Sequence, residues 1–259
     1  MDTPHSPWRP PLLWRAALLL ARCVVALLAR LRVTGDVPES WRRGPLILAA
    51  NHINPFDPIV LAAACRARGV APRFMATGGL FRAPLLGAAM RHAGHIRVDR
   101  GTAAVSRALV AAAEAASDSA VLVYPEGRIG LDPHLWPERG KTGTARLALA
   151  SGAPVVPVAQ WGSHEVLPYR TTAGAVLRGI TRALWRRPVI RVHFGPAVAL
   201  ADLPADSPGA ARRATDRIID AITDALVPLR RDEPEGPRHV DPSRPVDTSR
   251  THRYRPRAR

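Results

Sequence analysis

The stretch LILAANHINPFDPIV, residues 46–60, ends an apolar run and then places His52 and Asp57 five residues apart. A carboxylate that holds one imidazole nitrogen leaves the other free to take a proton from a substrate, which is the pairing of a general base with its orienter. On an ideal helix, residues i and i+5 lie about 140° apart, so the two side chains meet only if the chain turns between them. Asn54 and Pro55 supply turn chemistry there. The competing use of Asp57 is as a helix cap ahead of Pro58 at the first helical position; that use leaves the histidine unexplained. The chain contains no G-x-S-x-G, and neither cysteine stands in a recognisable pattern with a His and an Asn. If His52 is a base, the hydroxyl it activates therefore belongs to the substrate. The nine histidines form no H-E-x-x-H or similar cluster, and no metal is expected.

Three later stretches carry residues suited to anions. GHIRVDR, Gly94 to Arg100, reads as a short strand that ends in Asp99 and Arg100. VLVYPEGRIG, Val121 to Gly130, runs a strand into Pro125, Glu126, Gly127 and Arg128. Arginine at a strand end beside glycine offers a phosphate both a forked guanidinium and backbone N–H groups, although each arginine could equally form an ordinary surface ion pair. In GKTGTARLALASGAPVVPVAQWG, a helix opens after Lys141 and the following strand contains Pro157, which central strands avoid. Lys141 is the chain's one lysine, so it is a candidate to receive an oxyanion; its other reading is a helix-start lysine.

The elements that must position these residues follow from the pattern. Short apolar runs at 45–50, 73–76, 95–98, 120–124, 154–159 and 189–194 alternate with helical segments that include 102–117, 142–151 and 210–227. Strand then helix, repeated, predicts an α/β fold, and sites in such folds gather where strands end and loops begin.

The 259 residues carry a formal charge of +16 and 47% apolar residues. That is enough apolar content for a sizeable core, with a bias toward anionic partners. No zinc-finger spacing or aromatic RNA-binding strand points to nucleic acid. Cys23 and Cys65 sit among apolar neighbours and suit a reducing compartment. Leu12 to Leu31 is apolar but interrupted by Arg15, Arg22 and Arg30, so no charge-free run reaches the ~18 residues of a spanning helix. On a wheel the three arginines fall within about 80° of one another, the pattern of an amphipathic helix lying in a membrane interface. The alternative is a helix packed on the protein's own core. The segment VLRGITRALWRR repeats the logic with Arg178, Arg182 and Arg186. From Arg231 onward the chain is polar, rich in Pro and Arg and without periodicity, and is expected to be a disordered basic tail. The expected organisation is an interfacial helix region at 1–34, one domain at 35–230 and the tail at 231–259.

The set N-H-x-x-x-x-D, G-x-x-x-x-D-R, Pro-Glu-Gly-Arg and Val-Pro-Val, in that order from Asn51 to Val158, resembles the 1-acyl-sn-glycerol-3-phosphate acyltransferase (PlsC-like glycerolipid acyltransferase) family. The resemblance implies a mixed, largely parallel sheet flanked by helices, with an N-terminal amphipathic membrane-associated helix. It implies His52 and Asp57 as the catalytic pair, and a substrate site that draws on Asn51, Gly94, Arg100, Glu126, Gly127 and Arg128; Lys141 joins that site as the candidate read from the residues themselves. The usual third block reads Glu-Gly-Thr-Arg; here Arg128 directly follows Gly127. The implied reaction moves an acyl group from acyl-CoA or acyl carrier protein, each a substrate and not a cofactor, to the free hydroxyl of lysophosphatidate, giving phosphatidate. The implied place is the cytoplasmic face of the membrane, peripheral or monotopic, against a phospholipid surface and without nucleic acid. Another lysophospholipid or lipid alcohol as acceptor, and a non-catalytic basic membrane-binding protein, are the alternatives.

Overall fold

The computed structural model describes residues 8–99 and 102–254, without the side chains of residues 102–106. Seven strands, β1 (Arg30–Gly35), β2 (Leu46–Ala50), β3 (Arg73–Thr77), β4 (Ile96–Val98), β5 (Ala120–Val123), β6 (Val155–Trp161) and β7 (Val189–Phe194), form one sheet in the order β1-β7-β6-β2-β5-β3-β4. Every pairing is parallel except β6 with β7. The strand–helix alternation predicts the α/β fold, and the mixed, largely parallel sheet is the one that the family resemblance implies.

Side chains alternate across a strand, and the two sheet faces collect different helices. Leu46, Leu48 and Ala50 of β2 pack with α1 (Leu12–Leu28), α2 (Asp57–Ala67) and α7 (Ala173–Arg186). Ile47 and Ala49 pack with α5 (Thr102–Asp118), α6 (Gly143–Ser151) and α8 (Ala210–Leu226). Two short helices, α3 (Gly78–Arg82) and α4 (Pro84–His92), join β3 to β4. Strands β2, β5 and β6 are buried throughout, which is why they read as unbroken apolar runs. Pro157 is tolerated because the β6–β7 ladder begins only at Val158, opposite Phe194. There the Pro157 carbonyl still accepts the Gly195 N–H at 2.9 Å.

Three expectations are corrected. The boundary after residue 34 falls inside β1, a strand at the sheet edge whose alternation of exposed Arg30 and Arg32 with half-buried Leu31 and Val33 hides it from a hydropathy reading. Arg30 is therefore not on the first helix. Helix α1 is neither purely interfacial nor purely internal. Leu18, Ala21, Val25 and Leu28 are buried against the core, while Leu12, Leu13, Leu19, Leu20 and Leu27 are exposed. Among the described residues, no helix is long and apolar enough to cross a membrane. The tail expected to be disordered packs against the domain as far as residue 254. His252 is 2% exposed and its Nε2 lies 2.6 Å from Asp220, while Asp241 accepts the Tyr169 N–H at 2.5 Å. Polar contacts order it, and hydropathy does not register those.

Because one face of α1 belongs to the core, Leu18→Ala should destabilise the protein by about 2–5 kcal/mol, whereas Leu20→Ala on the opposite face should change stability by less than about 0.5 kcal/mol. Urea denaturation of the two variants checks this. Equal effects would contradict the division of faces.

Candidate active site

The site forms at the carboxyl end of β2, where the chain leaves the sheet at Asn51 and turns before α2. Asn54 makes the turn: its Oδ1 accepts the Phe56 N–H at 2.9 Å and its Nδ2 donates to Leu167 O at 2.8 Å. Asp57 then begins α2, with Pro58 behind it, but its carboxylate does not cap the helix. Oδ2 faces back and accepts the N–H groups of Ile53 (2.6 Å) and Asn54 (2.8 Å) and lies 2.9 Å from His52 Nδ1; Oδ1 accepts the Ser163 hydroxyl at 2.5 Å. Asp57 is fully buried, and a negative group in the first helical turn is favoured by the helix dipole.

The His52 ring is held on three sides. Nδ1 meets Asp57, the ring stacks on Tyr124 with centroids 4.0 Å apart and planes at 15°, and Nε2 has no hydrogen-bond partner among the described residues. The side chain keeps 15% exposure, so the ring is not sealed from solvent. With the carboxylate on Nδ1, the tautomer that leaves Nε2 unprotonated is favoured.

Glu126 fastens the backbone. In the loop after β5 its Oε1 accepts the His52 N–H at 2.9 Å and its Oε2 the Glu138 N–H at 3.0 Å. Burial pushes its carboxyl up from the usual 4.5 to about 8, against the pull of those two backbone donors and of Arg250. Gly127 closes the turn at φ +66, with its N–H on Tyr124 O at 3.0 Å. Lys141 is exposed and its stem passes over Gly127: a Cβ there would meet Lys141 Cδ at 3.1 Å and Nζ at 3.6 Å.

Several residues expected to touch substrate are engaged elsewhere. Asn51 is buried and exchanges bonds with Gln160 of β6: Nδ2 donates to Gln160 O at 3.0 Å and Oδ1 accepts Gln160 N–H at 2.8 Å. It ties two strand ends together. Arg128 makes two bonds to buried Glu138 at 2.9 and 3.0 Å and one to Asp247 at 2.8 Å, which raise its pKa further. Gly94 lies at the other end of the sheet, in the positive-φ turn that starts β4, and its carbonyl accepts Arg73 Nε at 2.6 Å. Arg100 lies outside the described residues. No group of three or more metal-ligating side chains occurs among the described residues.

Other residues of the site had no motif to announce them. Ser163 follows β6, a strand end like the others, and the strand-end rule applied there would have found it. Tyr124 was legible only as the last residue of the apolar run 120–124, with nothing to mark it as a platform for the His52 ring. The C-terminal segment carried no such signal, yet it straps the site. Arg244 donates to Ile53 O at 2.6 Å and to Gly130 O, whose own N–H bonds to His52 O at 2.7 Å. Arg250 donates to Glu126 O at 2.8 Å and Arg139 O at 2.7 Å.

The sequence model of the acyltransferase family matches residues 30–161, which is just over half of the chain and spans β1 through β6 with the loops just described. The chain belongs to the acyltransferase family. The fold is that of the 1-acyl-sn-glycerophosphate (LPA) acyltransferase PlsC from Thermotoga maritima, with a TM-score of 0.57 and 17% identity over 80% of this chain and 76% of that one. Uncharacterized proteins of Mycobacterium tuberculosis and Mycobacterium bovis are 28% identical over 229 residues, 77% of this chain and 62% of their own length. One from Mycobacterium leprae is 31% identical over 161 residues, 58% of this chain and 41% of its own. This acyltransferase chain thus spans less than two thirds of the curated relatives it matches.

Two outcomes follow from the geometry. If Asp57 merely capped α2, Asp57→Asn would be almost neutral. Because its carboxylate accepts from four donors, the amide should leave at least one of them unpaired and cost about 1–3 kcal/mol in urea denaturation. For Glu126, the folded carboxyl holds a proton between about pH 4.5 and 8 that the unfolded chain has lost. Stability should therefore decline as pH rises through that window, and Glu126→Gln should flatten the decline in thermal melts across it.

Proposed function

We propose that this acyltransferase moves a fatty acyl group from an acyl thioester, carried by coenzyme A or acyl carrier protein, to the free hydroxyl of 1-acyl-glycerol-3-phosphate, giving phosphatidate. The observation that carries the proposal is the His52–Asp57 pair at 2.9 Å, with Nε2 unpartnered among the described residues and the ring partly exposed. In this reading Nε2 removes the hydroxyl proton as the oxygen attacks the thioester carbonyl. The tetrahedral intermediate expels the thiolate as the C–S bond breaks, and the imidazolium returns the proton to sulfur. Asp57 holds the ring and stabilises its charge. General-base assistance of this kind contributes ~10²–10⁴ in rate. Lys141, beside Gly127, is the cation proposed for the oxyanion or the acceptor's phosphate, together with Arg100.

One observation favours a second acceptor. Arg128, the arginine of the Pro-Glu-Gly-Arg block, is already neutralised by Glu138 and Asp247. A site without that guanidinium suits a lysophospholipid whose phosphate is a diester, with a single negative charge, better than lysophosphatidate with its exposed monoester.

We further propose a peripheral place at the cytoplasmic face of the membrane. Support comes from the exposed leucines of α1 and from α7, where Gly179 and Ala183 are buried but Leu177, Leu184 and Trp185 are 66%, 44% and 88% exposed. The two helices are joined where Arg187 Nη2 donates to Ala26 O at 2.7 Å.

The test supplies the protein with labelled acyl-CoA and, in separate vesicles, lysophosphatidate, lysophosphatidylglycerol or lysophosphatidylcholine, and reads the diacyl product by mass. Product from lysophosphatidate that falls at least 10²-fold in a folded His52→Ala variant is expected. Turnover unchanged by that substitution would refute the base, and a preference for a diester acceptor would move the assignment to the second reading.

A further inference from the structure

A concavity of the described chain lies away from His52, at the opposite end of the sheet. It has a volume of about 930 Å³ and sits at the amino end of the parallel strands, between the segment ahead of α1, the end of α2 and the start of β5. The length of β2, about 16 Å at ~3.3 Å per residue, separates this end of the sheet from the catalytic one. The volume is that of a ligand cleft, typically ~300–1,000 Å³.

Its lining has two characters. The wall is apolar, from Leu12, Ala16, Leu18 and Leu19 of α1 with Val70 and Ala120 opposite. The rim carries Arg9, Arg15, Arg42, Arg43 and Arg66, and among the described residues no carboxylate lines it. Arg42 is paired, with Nη2 3.0 Å from Asp36 Oδ2. The side chains of Arg9, Arg15, Arg43 and Arg66 are exposed and have no hydrogen-bond or ion-pair partner among the described residues. Elsewhere in this arginine-rich chain the guanidinium groups around the active site are tied to carboxylates or carbonyls. Like charges gathered without a counter-ion repel one another, and an anion relieves that repulsion. Forked guanidinium groups match phosphate oxygens.

We propose that this groove is a binding site for an anionic phospholipid of the membrane, separate from the acceptor and donor sites. The phosphate lies among Arg9, Arg15, Arg43 and Arg66, and the glycerol and first methylenes lie along the wall of α1. Charge complementarity names the phosphate. The lipid as its source follows from Leu12 and Leu19, which line the groove and are also 78% and 53% exposed, so that the apolar wall runs out onto the face of α1 that would enter a bilayer. The site would set the helix at a fixed depth and favour membranes rich in anionic lipid, and it uses no residue of the catalytic loops.

The test titrates the full chain with dihexanoyl-phosphatidylglycerol below its aggregation concentration, by calorimetry, and compares the Arg43→Gln/Arg66→Gln double variant. Both arginines lie outside α1, so the apolar face is untouched. Saturable one-to-one binding is expected, weakened about 25-fold in the double variant, at about fivefold per arginine, with an unchanged melting temperature. Inorganic phosphate at equal concentration should not displace the lipid. Displacement by inorganic phosphate would make this a free-anion site, and undiminished binding by the double variant would place the lipid elsewhere; either result overturns the proposal. So would attraction to anionic vesicles without saturable binding of the short-chain lipid, which is surface charge alone. The readout contains no acyl transfer, so a failed assignment of the reaction and a failed assignment of this site remain distinguishable.

Discussion

The carboxylate of Asp57 is the junction on which the candidate active-site end of this molecule depends. It is buried, carries four donors, and joins three separate pieces of chain: the turn after β2, the imidazole of His52 and the residue that follows β6. A buried carboxylate is tolerable only when its lone pairs are occupied, and here the occupying groups are those whose positions matter. The same hydrogen bonds that make the charge acceptable fix the ring. Order at the site is thus a consequence of satisfying one buried anion.

Around that junction the sheet acts as a frame with two working ends. The carboxyl ends of β2, β5 and β6 deliver His52, Glu126 and Ser163 to one place because parallel neighbours finish at the same edge. Glu126 then fastens the backbone of His52, and the C-terminal strap fastens both loops through Arg244 and Arg250. The strap also places Asp247 on Arg128, so this guanidinium is ion-paired, whereas Lys141 beside Gly127 is exposed. The amino end of the same strands is organised differently, with Arg9, Arg15, Arg43 and Arg66 unpaired among the described residues and an apolar wall beside them.

Helix α1 connects the two ends energetically. Its buried side completes the core, so it is not a detachable anchor, and its exposed side carries five leucines. A helix with apolar residues on both sides is stable only if each side is covered. The protein covers one. Arg15 and Arg22 lie along the border between the two faces, as the proposed lipid covering would require.

What the sequence determined by itself was local. The apolar runs marked six of the seven strands, most plainly β2, β5 and β6, because strands buried on both faces have no polar positions to interrupt them. The five-residue spacing of His52 and Asp57, with Asn54 and Pro55 between, marked the pair, because only a turn can bring such residues together. The edge strand β1 was missed, since exposed arginines alternate with its apolar residues. Tertiary structure decided the rest. Whether Asp57 capped a helix or held a ring, and whether Arg128 was free or bound, depended on partners as distant in sequence as Ser163 and Asp247. The tail's order likewise came from guanidinium groups reaching loop carbonyls more than a hundred residues away. Hydropathy records what a segment can bury, whereas a charged side chain's role is set by whichever group of opposite character the fold brings within about 3 Å.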